Sequence, residues 1–314
     1  MAESDRAFQS RSLPTPDSRL ASPVALTEAA NRAHRTWFQE TLARLLKNKG
    51  AAGALVVLVV IGFVVVFAPV LTPYDPIAVD TTNTDSPPTW SHPFGTDTIG
   101  RDILSRIMLG GRLTVLVGVV AIAIAAGAGL PLGMLSGYYG GWTDRLISRF
   151  MDVMLAFPGI LLALGVVAVL GSSVVNVSIA VGISLIPGFV RLVRGTYLAA
   201  RDQAYVEAAR VIGTGNGRII VRHILPNVVA PVMVLATVAM GWAIIIGAAL
   251  SFLGLGAQAP TPEWGSDLAS GREWIRTAWW MSTFPGLAIT VVVIAVNLVG
   301  DGLRDALDPR LRTR

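Results

Sequence analysis

The side chains most able to bind a metal ion lie close together in one polar loop. His92, Asp97 and Asp102 fall within eleven residues and could hold a divalent metal ion. Helix capping by Thr96 or Asp97, with Asp102 paired to Arg106 at i,i+4, accounts for the same residues without a metal. We therefore expect these residues to build a capped helix, and we predict no metal site on this chain.

A nucleotide site of the chain's own is also not predicted. The glycine-rich string from Gly213 to Gly217 follows a predicted helix instead of a strand, and it has no lysine. The only two lysines, Lys47 and Lys49, lie outside any phosphate-binding motif, and the three histidines lie in three different loops. Without cysteine, thiolate metal sites and disulfides are excluded. We predict that the chain is not an enzyme and has neither a catalytic residue nor a cofactor.

The remaining candidate is a polar hairpin, residues 200–226, between two long apolar runs. Its first part fits a helix that Gly213 ends in a left-handed conformation, and a second helix from Arg218 is halted by Pro226. Glu207 supplies a polar anchor. The residues expected on one side of the first helix are Tyr205, Ala208, Ala209 and Ile212. From the residues alone, the hairpin is either a docking surface for another protein or an amphipathic hairpin resting on lipid headgroups.

Composition places this hairpin on a membrane protein. Of the 314 residues, 53% are apolar and only 14% are charged, and the mean hydropathy is +0.61. A span needs about 20 apolar residues. Six segments are long enough, at about 51–71, 113–135, 151–170, 174–193, 228–255 and 281–300. The sequence therefore predicts an all-α polytopic membrane protein with six transmembrane helices.

The positive charges predict how the spans are oriented. With the N-terminus in the cytoplasm, 20 of the 25 lysines and arginines lie on the cytoplasmic side. This asymmetry follows the positive-inside rule, so the net charge of +5 reflects topology, and no nucleic-acid partner is expected. Both termini and the hairpin are predicted to be cytoplasmic. Residues 1–34 are predicted to be disordered, and residues 35–50 to form an interfacial helix on membrane lipid.

The predicted spans hold little that could bind an ion. No ionisable residue lies in the middle third of any span, where ion-coupled transporters usually carry one. Ser184, Thr237 and Asn297 are the few polar candidates to line a path. On the outer side, residues 92–108 and 256–280 are candidates for an outer gate or a contact with another protein. The residues singled out there are Asp97, Arg101, Asp102, Glu263 and Trp264.

Motifs along most of the chain resemble one family. Glu207-Ala-Ala, then Gly213 and the terminal Leu225-Pro226, resemble the cytoplasmic loop of ABC importer permeases, although His223 stands where isoleucine is usual. The wider set resembles the C-type permease of dipeptide, oligopeptide and nickel importers. It comprises His92-Pro-Phe-Gly-Thr-Asp, Gly100-Arg-Asp, Ala156-Phe-Pro, Leu250-Ser-Phe-Leu-Gly-Leu-Gly, Pro262-Glu-Trp-Gly and Gly300-Asp-Gly-Leu-Arg-Asp-Ala-Leu-Asp-Pro. The match runs from about residue 35 to 310 in the expected order.

The resemblance implies a type I ABC importer transmembrane domain over residues 51–310, located in the bacterial cytoplasmic membrane. It implies a second permease subunit, two ATPase subunits that bind ATP and Mg, and an extracytoplasmic substrate-binding protein. The hairpin residues expected to couple to the ATPase are Tyr205, Glu207, Ala208, Ala209, Gly213, Leu225 and Pro226. Peptides are the expected substrate, with glutathione or a nickel chelate as alternatives. A secondary transporter that works alone, or a membrane-anchored scaffold, is the rival class.

Overall fold

The computed structural model describes residues 37–307, and within that range the chain is helical without a β-strand. We number ten helices along the chain. They are α1 (Trp37–Lys47), α2 (Lys49–Leu71), α3 (Ile103–Tyr139), α4 (Gly141–Leu155), α5 (Gly159–Leu170), α6 (Val174–Arg201), α7 (Ala204–Val211), α8 (Asn216–Phe252), α9 (Trp264–Gly271) and α10 (Trp280–Leu307). The predicted disorder of residues 1–34 lies outside the described residues.

Helices α2, α3, α6, α8 and α10 are each long and apolar enough to cross a membrane. Helices α4 and α5 pass the same test as a pair, bent by 91°, so the described residues hold five spans, or six if the pair is one span. The predicted all-α polytopic fold is confirmed. The span predicted at 151–170 is interrupted, because Leu155 ends one helix and Gly159 begins the next. Pro158 lies between them, and it disfavours helical backbone at the residue before it.

Most of the spanning helices are longer than their apolar segments. Helix α3 begins ten residues before the predicted span at 113–135, and α8 begins at Asn216 instead of near 228. A helix satisfies its backbone hydrogen bonds internally, so polar residues can extend it past the apolar core. The extra turns matter because they carry the candidate functional residues at both ends of α3 and at the start of α8.

The closest helix pair is α3 with α6, and small residues make it close. Glycines recur on α3 at every fourth residue, so they share one face. A Cβ atom added at these positions would lie 2.4–2.6 Å from the Cβ of the facing α6 residue. The facing pairs are Gly129 with Phe189, Gly133 with Val193 and Gly137 with Tyr197. Such contacts hold helices together where lipid gives no hydrophobic drive for association.

Residue 43 ends a first unit of the chain, and residues from Arg44 onward form a second, compact unit. Of the first unit, the structure describes the beginning of α1. Helix α1 covers most of the predicted interfacial helix at 35–50, whose position on lipid stays a prediction.

Asn48 caps the start of α2, since its side-chain oxygen accepts hydrogen bonds from the amides of Gly50 and Ala51 at 3.1 and 3.3 Å.

Candidate functional site: the hairpin and the loop-end network

The hairpin between α6 and α8 contains α7 and a sharp turn at Gly213. Gly213 has φ of +77°, as the sequence predicted for a residue that ends a helix. Its amide donates to the Arg210 carbonyl at 2.9 Å, and the Thr214 amide donates to the Ala209 carbonyl at 3.0 Å. These two bonds make a complete Schellman motif, so the path of the turn depends on a residue that tolerates positive φ.

The two sides of α7 differ sharply in exposure. Val206 and Ala209 are buried, whereas Tyr205, Glu207 and Ala208 are exposed. Of the four residues predicted to share one side of this helix, Ala209 is therefore buried, whereas Tyr205, Ala208 and Ile212 are exposed. Around the helix, Ala209 lies between the exposed Tyr205 and the buried Val206, because a helix has about 3.6 residues per turn. Glu207 and Ala208 thus lie on the exposed side of α7 in the part of the chain that the structure describes.

Two exposed apolar residues lie at the tip of α7, and of these only Ile212 was named from the sequence. Val211 is 82% exposed and Ile212 is 79% exposed, immediately before Gly213. A pair of large apolar side chains directed away from the protein at a turn is typical of a surface that another protein covers. The sequence held one signal of this exposure, namely the position of the two residues just before a glycine that ends a helix. The Schellman turn at that glycine fixes the direction of their side chains.

The return arm of the hairpin differs from the prediction at Pro226. It does not halt a helix: Asn216–Phe252 is continuous, with a π-helical segment at Ile219–Ile224. The Leu225 amide donates to the Ile220 carbonyl, five residues back. Regular α-helical bonding restarts at Leu225, so Pro226 lies in a first turn, where its missing amide is not needed. Leu225 is half-buried and Pro226 is exposed.

At the opposite end of α3, which we call the loop end, Asp102 caps the helix. Its Oδ2 accepts hydrogen bonds from the Ser105 amide at 2.8 Å and the Ser105 hydroxyl at 2.7 Å. Its Oδ1 lies 2.9 Å from His92 Nδ1. The predicted cap at Thr96 or Asp97 and the predicted Asp102–Arg106 pair are both wrong. The helix begins at Ile103, and Asp102 already uses both oxygens on other partners.

Asp97 builds the turn that precedes this cap. Its carboxylate accepts from the amides of Ile99 and Arg101 at 3.0 and 2.9 Å, and Arg101 Nε donates to it at 2.6 Å. Gly100 has φ of +82°, and a Cβ added there would lie 1.8 Å from the Asp80 carbonyl oxygen. Since Asp97 is engaged here and Asp102 binds His92, the three residues considered for a metal ion do not converge on one point.

We expect Gly100→Ala to reduce the amount of folded protein severely. The new methyl group would overlap the Asp80 backbone and would also force an L-residue to a positive φ. Gly53 in α2 has open space around it, so Gly53→Ala is the matched control. Gly95 cannot serve as a control, because a Cβ added there would also be too close to its neighbours. Fluorescence-detected size exclusion of detergent extracts would measure the difference, and equal yields for the two variants would contradict this reading of the turn.

Arg106 is buried and joins parts of the chain that are far apart in sequence. Its guanidinium pairs with Asp267 on α9 and donates to the carbonyls of Pro76 and Pro260 at 3.0 and 3.3 Å. Burial raises the pKa of the Asp267 carboxyl to about 6, an effect that the positive charge of Arg106 opposes. Within residues 37–307, Asp267 Oδ2 has no hydrogen-bond partner.

Glu263 and Trp264 fasten α9 to α3. Glu263 is 2% exposed and caps α9 by accepting from the amides of Gly265 and Ser266 at 3.0 and 2.9 Å. The Thr114 hydroxyl donates to the same carboxylate at 2.9 Å. Trp264 Nε1 donates to the Ile107 carbonyl at 2.8 Å. Both side chains are therefore used for contacts between helices within the protein.

Of the five predicted outer contacts, Asp102, Glu263 and Trp264 are buried, and the Asp97 and Arg101 side chains are each 13% exposed. In the structure they hold the loop end together and offer little surface to another protein. The predicted path residues Ser184 and Thr237 bond within their own helices, to Val181 and Val234. Asn297 packs on Gly241, at the contact of α10 with α8.

Comparisons with known proteins agree with this architecture. Residues 129–313 match the family described as binding-protein-dependent transport system inner membrane component. Residues 36–88 match the N-terminal transmembrane domain of oligopeptide transport permease C. A chain of the inward-facing MetNI methionine ABC transporter is similar in fold, with a TM-score of 0.53 at 16% identity, over 65% of this chain and 97% of that one.

Three curated relatives are similar over most of their length. A dipeptide transport system permease of Alkalihalophilus pseudofirmus is 47% identical, covering 88% of this chain and 91% of the relative. A di/tripeptide transport system permease of Pseudomonas aeruginosa is 43% identical, covering 95% and 97%. A glutathione transport system permease of Escherichia coli is 48% identical, covering 88% and 92%.

Proposed function

Because the chain belongs to the family of inner membrane components of binding-protein-dependent transport systems, we propose that it is a peptide-carrying permease subunit of an ATP-driven importer. The match at residues 36–88 and relatives named for dipeptides and for di/tripeptides support a peptide substrate. Glutathione is the second candidate, since a relative named for it is about as similar to this chain. The two candidates share peptide-like chemistry.

The exposed side of the hairpin carries the proposal. A side formed by Tyr205, Glu207 and Ala208, followed by the apolar tip at Val211 and Ile212, is exposed. The Tyr205 hydroxyl accepts a hydrogen bond from Asn227 Nδ2 at 3.3 Å, which stays within the hairpin region and leaves Tyr205 42% exposed. We propose that it seats in a groove of an ATPase subunit. In that case Ala209 and Leu225 support the surface from within, and Gly213 and Pro226 shape its two arms.

The proposed complex contains a second permease, two ATPase subunits and an extracytoplasmic binding protein. ATP and Mg would bind to the ATPase subunits, and this chain would carry no cofactor. Its hairpin and both termini would face the cytoplasm, and its loop end would face the binding protein. When ATP closes the ATPases, the hairpin would shift the spans from one arrangement to another. Such a shift requires that the ATPases bind the hairpin differently in the two arrangements.

Reconstitution separates this proposal from its rivals. The four-part complex in liposomes, with binding protein and a labelled dipeptide outside, should accumulate peptide only when ATP is enclosed. The same liposomes without ATPase subunits are the control. Peptide uptake by this chain alone, driven by an ion gradient, would identify a secondary transporter and refute the proposal. Repeating the assay with glutathione, and identifying the ligand of the binding protein, would decide between the two substrates.

We expect Glu207→Ala to weaken capture of the ATPase without preventing membrane insertion. Glu207 is exposed and contributes nothing to the internal packing of α7, so its removal should leave the hairpin folded. A hydrogen bond to a charged group contributes about 1.5–3 kcal/mol when a partner buries it, or roughly tenfold or more in affinity. The amount of ATPase that co-purifies with a tagged permease would measure this loss of affinity. Glu273→Ala, at an exposed glutamate of the loop end, is the matched control.

A further inference from the structure

Two tyrosines at the hairpin ends of α3 and α6 bond to the return arm of the hairpin. The Tyr197 hydroxyl donates to the Ile220 carbonyl at 3.1 Å, and Tyr197 is fully buried. The Tyr138 hydroxyl donates to Asn216 Oδ1 at 2.9 Å. The Arg210 guanidinium, from α7, lies 5.7 Å from the centre of the Tyr138 ring. Both arms of the hairpin therefore meet Tyr138.

A buried apolar cluster also joins the hairpin to these helices. Val206, Ala209, Ile219 and Ile224 belong to one buried cluster with Val193. Such contacts are non-directional, so they favour proximity without fixing a register. The two hydroxyl bonds are directional, and they join the hairpin to specific points on α3 and α6.

The Tyr197 bond meets the hairpin at its irregular segment. Ile220 lies in the π-helical turn, where its carbonyl also accepts the Leu225 amide. A π-helical turn is a local departure from α-helical bonding and is frequent at functional sites. Tyr197 thus bonds to the return arm inside its π-helical segment, where the winding differs from the rest of α8.

Helices α3 and α6 make a stiff support for this attachment. Gly137 lies directly beside Tyr197, and a Cβ added to Gly137 would lie 2.6 Å from the Tyr197 Cβ. The same close spacing continues along the pair at Gly133 and Gly129. A displacement delivered to the two tyrosines would therefore move the pair together, since closely packed elements shift as units.

We propose that Tyr138 and Tyr197 are positioning residues that transmit hairpin movement to the α3–α6 pair. This inference rests on the proposed function, because it takes the hairpin to be the surface that the ATPase moves. Without the hydroxyl bonds the hairpin still folds and still binds the ATPase, but its movement is delivered less completely to the spans. Transport and ATP hydrolysis then become uncoupled.

The test uses Tyr138→Phe and Tyr197→Phe in the assembled complex in liposomes. Each change removes one hydroxyl and keeps the ring and its packing. The measurement is the peptide accumulated per ATP hydrolysed when binding protein is present. We expect this ratio to fall about threefold to tenfold in each variant, the range that corresponds to the loss of one hydrogen bond. ATPase co-purification should be unchanged.

Two further variants control for structural effects. Tyr139 is 53% exposed and its hydroxyl has no hydrogen bond within residues 37–307, so Tyr139→Phe should keep the wild-type ratio. Asn216→Asp keeps an acceptor for Tyr138 and should retain the ratio, whereas Asn216→Leu should lower it. A merely destabilised complex would lose uptake and hydrolysis in proportion, with the ratio unchanged.

An unchanged ratio in both Tyr138→Phe and Tyr197→Phe would overturn the inference. The proposed function is tested separately, with a hairpin variant that should impair docking to the ATPase. If Gly213→Val abolishes uptake and the two tyrosine variants keep the normal ratio, the hairpin couples to the ATPase by another route. If Gly213→Val transports normally, the coupling role of the hairpin is refuted as well.

Discussion

Replacing Gly213 with valine should abolish ATP-driven uptake while the protein still enters the membrane. Gly213 has φ of +77°, a conformation that a β-branched residue strongly resists. The variant must therefore give up the Schellman bonds to Arg210 and Ala209, or keep them under strain of about 1–3 kcal/mol. Either outcome misplaces the apolar tip of Val211 and Ile212 that we propose the ATPase covers.

The assay compares uptake and binding-protein-stimulated ATP hydrolysis with the level of inserted protein. Gly217→Val is the matched control, because Gly217 lies four residues further along in the first turn of α8, has open space around it and has no positive φ. We expect Gly217→Val to keep most of the uptake, and Gly213→Asn to be milder than Gly213→Val, since asparagine tolerates the left-handed region. Normal uptake by Gly213→Val at normal expression would contradict the coupling role.

The same glycine illustrates what sequence can predict. Helix ends governed by one residue, such as Gly213, and apolar runs of spanning length are local properties, so the turn and the spans could be anticipated. The class of fold follows from those runs alone. The break between Leu155 and Gly159 is also local in origin, because Pro158 disfavours helical backbone at the residue before it.

The errors at the loop end have a different origin. Asp102 and Arg106 have the spacing of a helical ion pair, but Arg106 pairs with Asp267, 161 residues away. Local spacing could not reveal this, because tertiary packing decides which of two carboxylates a buried arginine meets. The burial of Glu263 was equally hidden, since it depends on Thr114, 149 residues away on α3.

Within the hairpin, the turn at Gly213 was predicted correctly, but the burial of Ala209 was not predicted. The position of Ala209 follows from the packing of Val206 and Ala209 under α7, which no polar pattern in the sequence specified. The exposed tip residue Val211 was passed over because apolar residues in a helix are usually assigned to its buried side, and Ile212 was named without its exposure. Exposure, not composition, marks them as a candidate contact.

The largest stability effect is expected at the Arg106–Asp267 pair, and it should be unequal for the two partners. Removing one partner of a buried pair costs about 3–5 kcal/mol, because a buried charge is left uncompensated. Asp267→Leu leaves a guanidinium that cannot lose its proton. Arg106→Met leaves a carboxyl that can become neutral, since burial already raises its pKa to about 6. We therefore expect Asp267→Leu to be the more damaging change.

The pH dependence of Arg106→Met follows from the same shift. The folded-state pKa of Asp267 lies above its ordinary value of 3.8, so the folded protein binds more protons than the unfolded one between those two values. Stability associated with this group is thus highest at low pH and is lost as pH rises through about 6. Loss of the Arg106 charge raises the pKa further, so the variant should be closer to wild type at pH 5 than at pH 7.5.

Thermal midpoints of the detergent-solubilised complex at the two pH values would measure both effects. Arg272→Met is the control for loss of a positive charge, because the side chain of Arg272 is 56% exposed and its contact with Glu273 is 4.0 Å. Exposed pairs contribute at most about 1 kcal/mol, so this variant should stay close to wild type. The double variant Arg106→Met/Asp267→Leu should recover much of the loss, since no charge remains unpaired. Additive losses in the double variant would show that Arg106 and Asp267 act through their other contacts and not through each other.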